Sequence, residues 1–190
     1  MKKIFLVISI IALCGCPAKK QTAESGPHIE WFQGSMDQAL IEAKKNQKPL
    51  FVYWGAVWCP PCNLLKSTVF VDRVFIDSTS RFVRVYLDGD TDSAQHWGEK
   101  LKATGYPTLM ILNPNGEEVV RLSTSMPPQE LADMMDSAYS NLLPINETVA
   151  KIMDRQPGQI VTKEEWSYLA NYAWTQDVFL QKKNKSYQKF

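Results

Sequence analysis

Leu50-Phe51-Val52-Tyr53-Trp54-Gly55-Ala56-Val57-Trp58-Cys59-Pro60-Pro61-Cys62 holds a strand, a turn and the start of a helix. Leu50 to Trp54 is a short continuous apolar run, entered from Pro49, which predicts a central strand buried on both faces. Gly55 to Trp58 reads as a turn. Pro60 suits the first turn of a helix, where its missing N–H would have no partner anyway. Cys59 therefore falls at a helix N-terminus, where orphan N–H groups and the helix dipole favour a thiolate. Cys62 follows one turn later.

Composition narrows what this pair can be. The 190 residues suffice for one ordinary domain and a small appendage. Hydrophobic residues make up 45% and charged residues 22%, as in a soluble globular chain. Lys and Arg number 21 against 20 Asp and Glu, which excludes the broad basic face of a nucleic-acid binder and the acidic excess of a disordered tail. His28 and His96 are the only histidines, so a histidine-rich metal site is not expected. Six Trp, seven Tyr and eight Phe predict a substantial core.

The chain starts Met1-Lys2-Lys3 and continues with Ile4 to Leu13, apolar except for Ser9. A bilayer span takes about 20 apolar residues, so this pattern reads as a secretory signal peptide over 1–15. Leu13-Cys14-Gly15-Cys16 is similar to the bacterial lipobox and places the acylated residue at Cys16. The competing cut, before Cys14, would put Leu13 at the position that prefers a small residue. Residues 16–28 read as a lipid-anchored linker, and a multiply acylated cysteine gives stable anchoring. Cys14 leaves with the signal and Cys16 carries lipid, so Cys59 and Cys62 are the only free thiols expected in an oxidising compartment. Three residues apart, they close too short a loop to stabilise a fold. They are a redox centre or half of a metal site, and no second CxxC or paired His supplies the other half.

Working outward, Ser35-Met36-Asp37-Gln38 predicts a capped helix with Met36, Ala39, Leu40 and Ala43 on one face. The helix after Cys62 is expected to turn Leu64, Leu65, Thr68 and Val69 inward. A strand is expected over Phe82–Leu87, a helix over Ser93–Lys102 and a strand over Thr108–Leu112. Asn113-Pro114-Asn115-Gly116 turns into Val119–Leu122. Ser125 is expected to cap a helix entered at Pro127-Pro128. This order predicts an α/β domain with a mixed sheet flanked by helices. Residues 143–190 lie outside it as a helical extension. There Thr162-Lys163-Glu164-Glu165 opens a helix expected to run to Asp177, with Trp166, Leu169, Ala170, Ala173 and Trp174 as its packing stripe. A weaker helix is expected over Asn146–Asp154.

Trp58-Cys59-Pro60-Pro61-Cys62 after a buried strand, with Gly105-Tyr106-Pro107-Thr108 before a later one, resembles the thioredoxin superfamily over Ile29–Leu142. Lys48-Pro49, Thr68-Val69-Phe70 and Asp72 are most similar to the periplasmic C-terminal thioredoxin domain of the disulfide-interchange reductases and to related exported lipoproteins. The resemblance implies a thioredoxin-like three-layer fold over 29–142. It implies thiol–disulfide exchange with Cys59 as nucleophile and Cys62 as resolving thiol, a redox-active Cys59–Cys62 disulfide and no other cofactor. It further implies a cis Pro107 against the pair, with Trp58, Pro60, Pro61, Tyr106 and Thr108 as supporting residues. Expected partners are protein thiols and disulfides, a redox donor protein, and a membrane reached through the lipid anchor. The expected location is the periplasm-facing bacterial envelope, with the outer membrane preferred.

The chain also departs from the superfamily. Tyr53 stands where cytosolic thioredoxins carry a buried acid. Arg84 replaces a lysine and is expected to keep a positive field near the thiols. Tyr106 replaces an aliphatic residue before the proline, and Pro60-Pro61 matches membrane-tethered reductases of cytochrome maturation. The direction of exchange is not encoded, because potentials in this fold span about −270 to −120 mV. A rival reading makes the chain a binding or assembly lipoprotein that grips a partner with its aromatic C-terminal helix. Peroxide reduction is disfavoured by the surroundings of Cys59.

Overall fold

Strand β1, Leu50–Gly55, is buried at every position and forms the axis of the molecule. A computed structural model describes residues 26–156 and 158–174; the signal-peptide and Cys16 expectations fall outside them, as do the basic C-terminal residues. β1 pairs in parallel with β2 (Val83–Asp88) and antiparallel with β3 (Thr108–Leu112), which pairs with β4 (Glu118–Leu122). The sheet order is β2-β1-β3-β4. A parallel pair needs a long crossover. Helices α2 (Pro60–Thr68) and α3 (Arg73–Thr79) supply it. β3 and β4 need only a turn, which Gly116 closes at φ 84° with its N–H on the Asn113 carbonyl.

Side chains alternate across the sheet, so each face has its own core. One core joins Leu50, Val52, Trp54, Val85 and Met110 to α1 (Met36–Asn46) and α4 (Asp92–Lys100). The other joins Phe51, Tyr53, Leu109 and Ile111 to α2, α3 and α5 (Pro128–Ser140). In this second core Trp31, Phe51, Tyr53, Phe70 and Phe75 make edge and stacked contacts with centroids 4.9–6.4 Å apart. The expected three-layer α/β arrangement with a mixed sheet is what forms. Ser35 caps α1 through the full capping box, and Met36, Ala39 and Ala43 are buried beneath it.

The structure corrects several expectations. In α2 the inward residues are Cys62 and Leu65, followed by Val69, while Leu64 and Thr68 are exposed. Helix α3 was not anticipated; Asp72 caps it by accepting from the amides of Val74 and Phe75. Ser125 does not cap α5, whose N-cap is Pro127; its hydroxyl instead pairs with Ser123.

The C-terminal segment forms α6 (Ile145–Met153) and α7 (Lys163–Asn171). Thr162 and Glu165 make the expected capping box. The packing stripe differs from expectation. Tyr168 and Tyr172 enter the core, Ala170 is exposed and Trp166 is 58% exposed. The reason is polar: Glu165 is buried against Arg155 and Lys151, which fixes the face that α7 turns inward. The helix also stops at Asn171, because Tyr172 bridges antiparallel to Leu122 and the Ala173 amide donates to the Arg121 carbonyl. Arg121, 2% exposed, holds Glu118 and the carbonyls of Leu101 and Lys102, and Tyr172 donates to Glu118 at 2.8 Å. No helix among the described residues is long and apolar enough to cross a membrane.

Candidate active site

Cys59 is the N-cap of α2, extended at φ −82° and ψ 112°, with Pro60 and Pro61 in the first turn. The prolines take positions whose amides would lie idle, so the first available amide, that of Cys62, donates to the Cys59 sulfur at 3.2 Å. The two sulfurs are joined as a disulfide, with Cα atoms 5.2 Å apart. No acidic residue lies in the first turn of α2. A negative charge on Cys59, once the bond opens, meets a helix N-terminus and a direct N–H donor. Both favour the thiolate.

Ala56, Cys59 and Cys62 form a small buried cluster with Tyr106 packed against it. The Tyr106–Pro107 peptide is cis. Pro107 and Thr108 are buried, and the Thr108 hydroxyl donates to the Gly105 carbonyl at 2.7 Å. Tyr106 lies 4.2 Å from Trp54 and 5.7 Å from Trp58, centroid to centroid. Its hydroxyl accepts from Gln95 and donates to the Gly89 carbonyl. Gly89 permits this approach, since a Cβ there would stand 2.3 Å from the hydroxyl. Trp58 is 65% exposed, and its indole donates to Asp90 at 2.7 Å. Around the buried pair the surface is apolar: Val57, Trp58 and Leu64 are exposed, and Pro61 and Leu64 border a groove of about 330 Å³ reaching Met126 and Pro127.

Arg84, expected to keep a positive field near the thiols, has its guanidinium 3.8 Å from the exposed Glu30 carboxylate. Lys66, on the last turn of α2 itself, places its Nζ 5.8 Å from the Tyr53 ring and 5.3 Å from the Tyr86 ring. Sequence reasoning missed Lys66, Tyr86, Asp90 and Gln95. Lys66 had a signal, since it stands four residues after Cys62 and shares its helix face. Asp90 and Gln95 had none, because only the tertiary fold brings them to Trp58 and Tyr106. Among the described residues no group of three His, Cys, Asp or Glu could hold a metal ion.

A buried cysteine pair at a helix N-terminus, facing a cis-proline loop at the end of a central strand, defines a thioredoxin-like redox protein. The thioredoxin-like domain family matches residues 36–139, more than half the chain, and the chain belongs to that family. Its members are thiol–disulfide oxidoreductases. A thioredoxin-like protein of tomato, CITRX, described as chloroplastic, is 25% identical over 132 residues, covering 69% of this chain and 73% of that one. The chain spans about half the length of other curated relatives it matches. Among solved structures, a Bacteroides thetaiotaomicron protein proposed to be a disulphide-isomerase is 29% identical. It covers 62% of this chain and 97% of its own, with a TM-score of 0.52. A Thermus thermophilus thioredoxin is 26% identical with the same TM-score, covering 58% of this chain and 86% of its own.

Proposed function

We propose that this chain is an exported thiol–disulfide oxidoreductase of the cell envelope, tethered by lipid at Cys16 and acting on protein thiols and disulfides. The observation that carries the reading is the Cys62 amide donating to the Cys59 sulfur at the head of α2. It supports Cys59 as the better leaving group and the better-stabilised thiolate. In the reducing direction, the Cys59 thiolate attacks a substrate disulfide and one substrate sulfur leaves as a thiolate. Cys62 then attacks Cys59, releases the second substrate sulfur and restores the Cys59–Cys62 bond. Two electrons pass from the pair to the substrate, and a redox donor protein returns them. The reverse sequence oxidises a substrate dithiol. The exposed apolar rim of Val57, Trp58 and Leu64 suits a polypeptide lying across the pair.

Export and anchoring rest on the N-terminal sequence, a basic start, an apolar run and Leu13-Cys14-Gly15-Cys16. The reading is tested with two variants. Cys59→Ser is expected to abolish disulfide exchange, and Cys62→Ser to accumulate substrates trapped on Cys59. Exchange that survives in Cys59→Ser would assign the roles elsewhere.

A further inference from the structure

Arg121 is buried on β4, opposite Met110 of β3, in the core that faces α1 and α4. Its guanidinium serves two kinds of acceptor. Nε and Nη2 donate to the two carboxylate oxygens of Glu118, at 3.0 and 2.7 Å. Nη2 also donates to the Leu101 carbonyl at 2.8 Å, and Nη1 to the Lys102 carbonyl at 3.2 Å. Those carbonyls lie at the C-terminal end of α4, where the helix dipole favours a cation. Leu101 is the C-cap of α4, and Lys102 follows in the left-handed region at φ 53°. The Lys102 amide donates to the Glu99 carbonyl and the Ala103 amide to the Gly98 carbonyl, which closes the helix in a Schellman turn. This turn normally takes glycine, and a lysine persists there only where its surroundings fix it. Burial works against the charge of Arg121. The Glu118 carboxylate, and then Tyr172, outweigh it and raise the guanidinium above its ordinary value, so it stays a cation.

The clamped turn leads straight to the redox pair. Only Ala103, Thr104, Gly105 and Tyr106 separate Lys102 from Pro107. Thr104 and Gly105 are exposed, and Tyr106 packs against the Ala56–Cys59–Cys62 cluster. The far end of this loop is held by α4 as well, because Gln95 donates to the Tyr106 hydroxyl. Trp54, in contact with Tyr106, donates to the Ala94 carbonyl. We propose that Arg121 is a positioning residue for polypeptide substrates: by holding the Leu101 and Lys102 carbonyls it sets loop 103–106 as the rim against which a substrate chain lies while its disulfide meets Cys59. The proposal rests on the reading of Cys59 and Cys62 as a thiol–disulfide exchange centre. Arg121 acts through the loop and takes no part in the exchange itself. Arginine suits the task because its planar fork carries five N–H donors. A lysine has one nitrogen and cannot span Glu118 and both carbonyls together. The C-terminal segment completes the clamp. The Tyr172 hydroxyl donates to Glu118 at 2.8 Å and the Ala173 amide to the Arg121 carbonyl at 2.9 Å. That segment therefore bears on substrate recognition without entering the active site.

The test sets two disulfides before the full chain: insulin, a polypeptide, and dithiobis(nitrobenzoate), a small disulfide that needs no rim. Dithiothreitol returns the electrons in the insulin assay. Arg121→Lys keeps the charge and removes the fork. It is expected to raise KM for insulin about fivefold with kcat held within about twofold, and to leave the rate with the small disulfide within about twofold. Tyr172→Phe keeps the ring and leaves Arg121 and Glu118 in place. It is expected to raise KM in the same direction by about twofold, and it carries the test if Arg121→Lys does not fold. Thermal melts set a temperature at which each chain is folded. A merely structural role lowers Tm and leaves KM of the folded chain unchanged, and that result overturns the clamp. An equal loss with insulin and with the small disulfide also overturns it, because the residue would then act on the cysteines and not on the loop. A parent chain that exchanges with neither disulfide overturns the redox reading instead, so the two failures are distinguishable.

Discussion

Single residues here are governed by whether a buried polar atom finds its counterpart. Glu165, 5% exposed, receives the Thr162 amide at 2.9 Å and the Arg155 guanidinium, with Lys151 at 3.5 Å. The Thr162 amide foremost, and then Arg155 and Lys151, outweigh burial and hold its carboxyl below its ordinary value of 4.5. A group whose pKa is lower in the folded chain adds stability above its unfolded value, and loses it as pH falls through the folded value. Glu165→Gln should therefore lower Tm by a few degrees near neutral pH, with the gap to the parent closing as pH drops below 4.5. A gap independent of pH would show that the ion pair contributes nothing. The charge pattern of residues 151–165 gave no hint of this pairing, since a lone Glu in a capping box is ordinarily solvated.

At the level of elements, local sequence signals set most starts and stops, and packing set the faces. Ser35–Gln38 and Thr162–Glu165 close their capping boxes because both partners of each lie within one turn. In α2 and α7 the apolar pattern alone misplaced part of the buried face: Leu64 and Thr68 of α2 and Trp166 and Ala170 of α7 are exposed, while the polar Glu165 is buried with Arg155. α7 then delivers Tyr168 and Tyr172 into the core shared with α5. Aromatic side chains bury about 150–250 Å² each, at roughly 25 cal/mol per Å², so this contact is worth at most several kcal/mol. Deleting residues 144–190 should lower Tm by roughly 10 °C, as a loss of about 3 kcal/mol would. Reduction of a protein disulfide such as insulin should persist at a temperature where the shortened chain is folded. A shortened chain that folds but no longer exchanges thiols would place the C-terminal segment inside the active site.

For the molecule as a whole, the proposed chemistry and the proposed address reside in separate stretches of chain. The redox pair sits on the sheet domain; the proposed anchor is Cys16. Intact mass of protein extracted from membranes is expected to show a fatty-acylated N-terminus at Cys16. A soluble product beginning at a later residue would remove the anchor from the proposal without touching the redox pair.

The sequence by itself determined the strand–turn–CxxC–helix unit, the mixed α/β architecture, the β3–β4 turn and the proline before β3. Each is encoded within a few consecutive residues, where backbone preference and short-range hydrogen bonding act. Tertiary structure alone decided that Lys66 rather than Arg84 lies over Tyr53, that Asp90 holds Trp58, and that Arg121 ties Tyr172 and Glu118 to the loop leading to Pro107. It also decided that the Tyr53 and Tyr86 hydroxyls are buried together. These groups meet across 13 to 54 residues of chain. Their pairing follows from strand register and helix rotation, which no local pattern of apolar and polar residues specifies.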